Sequence, residues 1–182
     1  MPKLDSILAT AAQQLHSAGI PSNTLDAEIL LSYALAQNRS WLRAHSTDEI
    51  SKEQVDKFQG FVERRFHREP IAYITGVKEF YGRDFIVTPE TLIPRPETED
   101  LVELTLKNAG KESQAVLDVG CGSGCIGITL KLERPEWKVT LVDISSDTLK
   151  VTEKNATNLH AKIELRESDL LTVFENSGEK FD

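Results

Sequence analysis

Ala115-Val116-Leu117-Asp118-Val119-Gly120-Cys121-Gly122-Ser123-Gly124-Cys125-Ile126-Gly127 decides how the rest of this chain is read. An apolar run ends on a carboxylate, glycines follow at alternate positions, and Ile126, Ile128, Leu130 and Leu132 come next. The pattern predicts a buried strand, a tight turn and the opening turns of a helix. Glycine at 120, 122 and 124 admits positive φ and lets a ligand approach the backbone where a Cβ would otherwise stand. The helix that follows offers free N–H groups at its start. In open α/β sheets, nucleotides bind at such a turn, at the carboxyl end of a parallel strand.

Two ligand classes compete for the loop, and a glycine-rich turn with no ligand is the plain alternative. Gly122-Ser123-Gly124-Cys125-Ile126-Gly127 matches the G-x-G-x-x-G dinucleotide pattern. The register argues against it, because the first glycine after the strand is Gly120. Asp118 then falls at the strand end, facing the site. A carboxylate there suits a cationic amino acid or sulfonium ligand better than a pyrophosphate. The Asp-x-Gly-x-Gly-x-Gly form resembles the first motif of the Rossmann-like methyltransferases that use S-adenosylmethionine.

Downstream, Lys138 to Asp143 is a second β-rich run ending in an acid, about twenty residues after Gly124. Such an acid can hold both ribose hydroxyls, which nicotinamide dinucleotides and S-adenosylmethionine share; a turn or N-cap aspartate is the alternative. Ser145 to Leu159 reads as a helix capped by Ser145 or Ser146, with Leu149, Val151, Thr152 and Ala156 inward. Ile163 to Leu170 reads as a third strand, and in the methyltransferase pattern its acid, Asp169, lies near the adenine amino group. The candidate cofactor-binding set is therefore Asp118, Gly120, Cys121, Gly122, Ser123, Gly124, Asp143, Ile144, Asp169 and Leu170. Cys121 and Cys125 are a poor zinc pair and give no disulfide framework, so no metal is expected. Small reduced side chains in a tight loop point to the cytoplasm.

The 182 residues suffice for a small helical domain and part of an α/β domain. The net charge of −8 argues against broad, charge-driven contact with nucleic acid. No apolar run is long enough to span a membrane, and Met1 opens no signal-peptide pattern.

Upstream, Leu4, Ile7, Leu8, Ala11 and Leu15 carry helical periodicity, stopped by Gly19 and Pro21. Asn23 or Thr24 is expected to cap a second helix with Leu25, Ile29, Leu30, Tyr33 and Ala34 inward. Ser40 opens a short helix through Trp41 and Leu42. Ser51 with Gln54 reads as a capping box before the stripe Val55, Phe58, Phe61, Val62 and Phe66. The basic run Arg64-Arg65-Phe66-His67-Arg68 reads as a solvated helix C-terminus, with contact to an acidic partner as the alternative. Pro70 ends that helix. Val77–Tyr81 and Phe85–Thr88 flank a glycine turn and predict a hairpin. Prolines 89, 94 and 96 fix an extended segment that excludes helix, either a rigid linker or one wall of the ligand site. A helix from about Glu97 to Asn108 completes the reading.

Several of these stretches carry a specific resemblance. Arg68-Glu69-Pro70-Ile71-Ala72-Tyr73-Ile74-Thr75-Gly76, Glu79-Phe80-Tyr81-Gly82 and Thr91-Leu92-Ile93-Pro94-Arg95-Pro96-Glu97-Thr98-Glu99 resemble the HemK/PrmC family. The resemblance covers nearly the whole chain. It implies a mixed α/β protein: a helical substrate-recognition bundle over 1–70, a β-hairpin and Pro-rich linker over 71–96, and over 97–182 the N-terminal part of a Rossmann-like methyltransferase domain. It further implies S-adenosylmethionine as cofactor, S-adenosylhomocysteine as product and class I peptide-chain release factors as partners. The reaction would be methyl transfer to the side-chain amide nitrogen of the glutamine in their Gly-Gly-Gln motif, without direct nucleic-acid or membrane contact.

One departure matters. The family's Asn-Pro-Pro-Tyr motif, which positions the acceptor amide, does not occur in these residues. The chain is therefore expected to be incomplete, to hold much of the cofactor site, and to be inactive by itself. Other readings are a non-catalytic cofactor- or partner-binding module, a nicotinamide-dependent oxidoreductase, and a nucleic-acid base methyltransferase.

Overall fold

Helices α1 (Leu4–Ser17), α2 (Asn23–Leu35), α3 (Arg39–Ala44), α4 (Lys52–Phe66) and α5 (Ile71–Thr75) build the first of two units. The computed structural model describes residues 2–110 and 112–182, and the boundary between the units falls between Thr75 and Gly76. Residues 76–96, expected as a linker, thus belong to the second unit.

The first unit has its own core, in which Leu4, Leu15, Ala27, Leu30, Leu31, Phe58 and Val62 are buried. Helix α1 keeps the expected face inward and stops at Gly19, whose φ of +69° a side chain would strain. Helix α2 buries Leu30 and Ala34 as expected, but its buried face is broader than the expected stripe and leaves out Leu25 and Tyr33. Ala27, Leu31 and Leu35 are buried, while Leu25 and Tyr33 are 43% and 40% exposed. The reason is its central place: α1, α3, α4 and α5 all pack against it, so no single apolar stripe sets its orientation. Ser22, rather than Asn23 or Thr24, stands at its N-cap. At α3 the cap is Asn38, whose side chain accepts the Trp41 amide at 2.8 Å, rather than Ser40. The capping box of α4 is complete, with Ser51 Oγ accepting from Gln54 N and Gln54 Oε1 accepting from Ser51 N. Pro70 both follows α4 and precedes α5, since a fixed φ suits a helix start.

In the basic run at the end of α4, Arg64, His67 and Arg68 are exposed, as expected of a solvated helix end, while the arginines also bond within this unit. Arg64 forks onto Glu69 and also donates to the carbonyls of Tyr73 and Ile74. Arg65 donates to Asp26 Oδ2 at 2.7 Å and to the Glu69 carbonyl at 3.1 Å. Arg68 donates to the Ala18 carbonyl at 2.7 Å. These bonds tie α4 to α2, to the end of α1 and to α5.

In the second unit, β1 (Val77–Phe80) and β2 (Arg83–Ile86) form the expected antiparallel hairpin, with Val77 opposite Ile86. A 3₁₀ turn at Pro96–Thr98 precedes α6 (Glu99–Asn108). The extended reading of the proline segment fails at this turn, because Pro96 occupies a first-turn position where its missing N–H costs nothing. Strands β3 (Ala115–Val119), β4 (Lys138–Asp143) and β5 (Glu164–Glu167) then pair in parallel in the order β3-β4-β5. Helix α7 (Cys125–Glu133) joins β3 to β4, and α8 (Ser146–Asn158) joins β4 to β5. This βαβαβ order is the mononucleotide-binding half of a Rossmann-like fold. Strand β5 is shorter than expected. Its pairing runs out at Ser168, whose N–H meets the Asp143 carbonyl, and the chain then turns at Leu170 with φ +50°. Asp169 therefore lies beyond the strand, in the turn.

Phe80 and Phe85 of the hairpin, edge to face at 6.1 Å, share one core with Val102, Ile128, Trp137, Val139 and Leu141. The hairpin is packed into the α/β layer and is no free connector.

Replacing Arg65 by alanine leaves the Asp26 carboxylate, 7% exposed, without its partner. Removing one member of such a buried pair typically costs about 3–5 kcal/mol. Urea unfolding of Arg65→Ala followed by helical circular dichroism should show that loss. A change below about 1 kcal/mol, the worth of a surface pair, would mean that the bond is dispensable.

Candidate functional site

The turn from β3 into α7 is held by hydrogen bonds from three directions. From β4, the Val142 carbonyl accepts both the Gly120 and the Cys121 amides, at 2.9 and 3.0 Å. Asp143 accepts the Gly122 amide on Oδ2 and the Ser145 amide on Oδ1, each at 3.1 Å. From β3, Asp118 Oδ2 accepts the Gly127 amide at 3.0 Å. From α8, Thr152 donates to the Gly122 carbonyl at 2.7 Å and Asn155 to the Ser123 carbonyl at 2.9 Å.

The glycines divide by role. A Cβ on Gly124 would stand 2.6 Å from Thr152 and 2.8 Å from Ile128, and one on Gly127 would stand 2.8 Å from Leu141. Those two glycines allow helix α7 to pack. Gly120 and Gly122, with φ of +70° and +57°, have no protein atom beyond their chain neighbours within 4 Å of where a Cβ would be. Their open side is free for a ligand to approach the backbone.

Asp118 does not stand free at the strand end. Gly124, as N-cap of α7, has no side chain to receive the orphan amides of the first turn. Asp118 supplies that acceptor from the preceding strand. Burial raises its pKa, the Gly127 hydrogen bond opposes the rise, and the nearby Asp143 charge adds to it. Each oxygen of Asp143 takes one backbone amide. A carboxylate offers about four acceptor sites, so capacity remains for further donors.

The remaining candidate residues are placed as follows. The Cys121 thiol points inward, 3.7 Å from Thr152 Oγ1, leaving only its backbone for a ligand. Ser123 is buried, and its hydroxyl lies against the Cys125 thiol. Ile144 and Leu170 are 67% and 69% exposed, apolar groups in water beside the carboxyl ends of β4 and β5. Asp169 is exposed as well, and its carbonyl accepts the Thr172 amide. Asp118, Gly120, Gly122, Gly124 and Asp143 are thus joined in one hydrogen-bonded and packed cluster, and Asp169 is outside it. Thr152 is inward as expected, while Thr148 and Asn155, absent from the expected face, are buried beside it. Their signal was present as polar residues spaced on the inward face of a helix otherwise lined by Val151 and Ala156. No group of three or more His, Cys, Asp or Glu suited to a metal occurs among the described residues. No helix among them is long and apolar enough to cross a membrane.

Residues 6–76 match the family model of the PrmC N-terminal domain, and residues 98–182 match that of the methyltransferase small domain. A release factor glutamine methyltransferase of Koribacter versatilis is 47% identical over 174 residues, which is 95% of this chain and 62% of that protein. The chain belongs to the HemK/PrmC family. The family member of Bacillus subtilis, also named release factor glutamine methyltransferase, is 38% identical over 187 residues, covering 100% of this chain and 64% of its own length. The chain thus spans under two thirds of the HemK/PrmC relatives it matches. Among solved structures, the ribosomal protein L11 methylase of Lactobacillus delbrueckii subsp. bulgaricus covers 58% of this chain and 54% of its own, with 26% identity and a TM-score of 0.42.

Burial pushes both thiols of this HemK/PrmC chain up, Cys121 to about 12 and Cys125 to about 11, from 9.0. Both should resist alkylation at pH 8 and react only on unfolding. The unfolded thiols ionise first, so the unfolded state binds fewer protons above pH 9, and stability falls as pH rises through that window. Thiol titration with and without urea, and urea midpoints from pH 7 to 10, check both statements. Fast labelling of the folded protein would contradict the burial.

Proposed function

We propose that the glycine loop holds S-adenosylmethionine and that the protein methylates the glutamine amide of the Gly-Gly-Gln motif in peptide-chain release factors. The observation that carries the cofactor reading is the carboxylate of Asp118 on the Gly127 amide. In dinucleotide folds the start of this helix takes a pyrophosphate. Here a fixed acid already occupies the helix start, and Asp143 adds a second acid nearby. A phosphate would meet repulsion there. A sulfonium or ammonium group would meet attraction.

The other residues fit the same ligand. Asp143, its orientation fixed by two backbone amides, can accept from two ribose hydroxyls. The open backbone at Gly120 and Gly122 admits a ligand chain at close range. Ile144 and Leu170 offer apolar surface for a base. The bound cofactor would supply an activated methyl group on sulfur, which needs no metal and no acid catalyst. The work of this chain is to bind and orient it.

The partner reading rests on the relatives' names and on the helical unit. Residues 6–76 match the PrmC N-terminal domain, and that unit has a core of its own. In this proposal it engages the release factor, while the α/β unit holds the cofactor. The net charge of −8 favours a protein acceptor over a polyanionic one. A cytoplasmic location follows from such a substrate.

Calorimetric titration should show binding of S-adenosylhomocysteine and none of a nicotinamide dinucleotide. Asp143→Asn exchanges one carboxylate acceptor for a donor, so affinity should fall on the order of ten- to a hundredfold, the worth of one charge-assisted hydrogen bond. Preference for the dinucleotide, or unchanged affinity in the folded variant, would reject the assignment. Methyl transfer from labelled S-adenosylmethionine to a release factor by the whole protein tests the reaction.

A further inference from the structure

Helix α8 presents a buried polar row, Thr148, Thr152 and Asn155, which are 4%, 0% and 1% exposed. Each reaches backbone from elsewhere in the second unit, and Thr152 Oγ1 also lies 3.1 Å from the Thr148 carbonyl of its own helix, farther than from its loop partner. Thr148 Oγ1 donates to the Glu90 carbonyl at 2.8 Å. Thr152 Oγ1 donates to the Gly122 carbonyl at 2.7 Å. Asn155 Nδ2 donates to the Ile86 and Ser123 carbonyls, both at 2.9 Å, while its Oδ1 accepts the Ile86 amide at 2.7 Å. The Asn155 amide thus uses both hydrogens and its oxygen, joining hairpin strand β2 to the glycine loop.

From this we infer that Thr152 and Asn155 are positioning residues that select the ligand-ready conformation of the glycine loop. Glycines restrict a loop least, so Gly120, Gly122 and Gly124 by themselves leave many conformations open. Side-chain donors on α8 remove that freedom by drawing two successive carbonyls, of Gly122 and Ser123, toward the helix. A trans peptide places N–H opposite C=O. Drawing the Gly122 carbonyl inward therefore turns the Ser123 amide away from α8. Among the described residues, no acceptor meets that amide. The loop backbone is thereby held in one conformation beside the open side of Gly120 and Gly122. Fixing it before a ligand arrives removes an ordering cost from binding. Asn155 extends the same constraint to the hairpin, so the register of β2 and the shape of the loop are set by one side chain.

This inference rests on the cofactor reading for its functional consequence, and on the hydrogen bonds alone for its structural one. Thr152→Val keeps the shape and removes the donor; Thr152→Ser keeps the donor and removes the methyl. With the fold confirmed by circular dichroism, Thr152→Val should bind S-adenosylhomocysteine roughly tenfold more weakly, equivalent to about 1.4 kcal/mol. Without ligand, its amides at 120–125 should exchange faster with deuterium. Thr152→Ser should restore both. A folded Thr152→Val with wild-type affinity and wild-type loop exchange overturns the inference. So does a serine variant that fails as the valine variant does, because packing on Gly124 would then be the cause. If the wild-type chain binds neither S-adenosylmethionine nor S-adenosylhomocysteine, the cofactor reading fails. Loop exchange then decides: faster in valine and restored in serine supports the positioning role, and unchanged in valine overturns it.

Discussion

Gly127 lies so close to β4 that an added Cβ would stand 2.8 Å from Leu141 and 3.0 Å from the Asp118 carboxylate. That contact sets the geometry of the second unit. It brings the first turn of α7 down onto the sheet and lets an acid from β3 cap the helix that β3 leads into. Strand, turn and helix are thereby closed into one short circuit. Gly124 completes it, since only a missing Cβ leaves room for Thr152 and Ile128. Hydrophobic burial around Ile128 and Leu141 supplies the driving force. It is non-directional, and the hydrogen bonds decide which backbone groups face the open side.

Both units use polar side chains that bond to backbone from neighbouring segments. In the helical unit, Arg64, Arg65 and Arg68 end α4 and take carbonyls from neighbouring segments. In the α/β unit, Thr148, Thr152 and Asn155 do so from α8. Apolar contacts tolerate small shifts, whereas a two-donor, one-acceptor amide such as that of Asn155 does not. Polar braces therefore fix the register of loops and hairpins that hydrophobic packing would leave loose.

Electrostatics at the sheet edge separate ligand classes that the motif leaves together. A glycine loop at a helix start invites an anion. Asp118 reverses that preference by occupying the helix start with a carboxylate, and Asp143 reinforces it.

The sequence by itself determined the longer helices, the hairpin, the three parallel strands and their order, but not the short helix α5 or the 3₁₀ turn at Pro96–Thr98. Glycine spacing, the Ser51–Gln54 capping box and the acid at the end of β4 are local signals, each written within a few residues, and chemistry at that range does not depend on distant packing. The Pro-Arg-Pro segment and the glycine loop also carried the family. Tertiary structure alone decided what depends on several neighbours at once. It widened the buried face of α2 beyond the expected stripe because four helices pack on it. It gave the arginines at the end of α4 carbonyl partners within their unit, which a charge run read alone does not show. It ended β5 before Asp169, because pairing stops where the Asp143 carbonyl is reached. It made Asp118 a helix cap and Asn155 a bridge, since the partner atoms lie 9 and 69 residues away along the chain. A hydrogen bond of that span has no signature in a local window. It exists only once the fold has brought the two ends together.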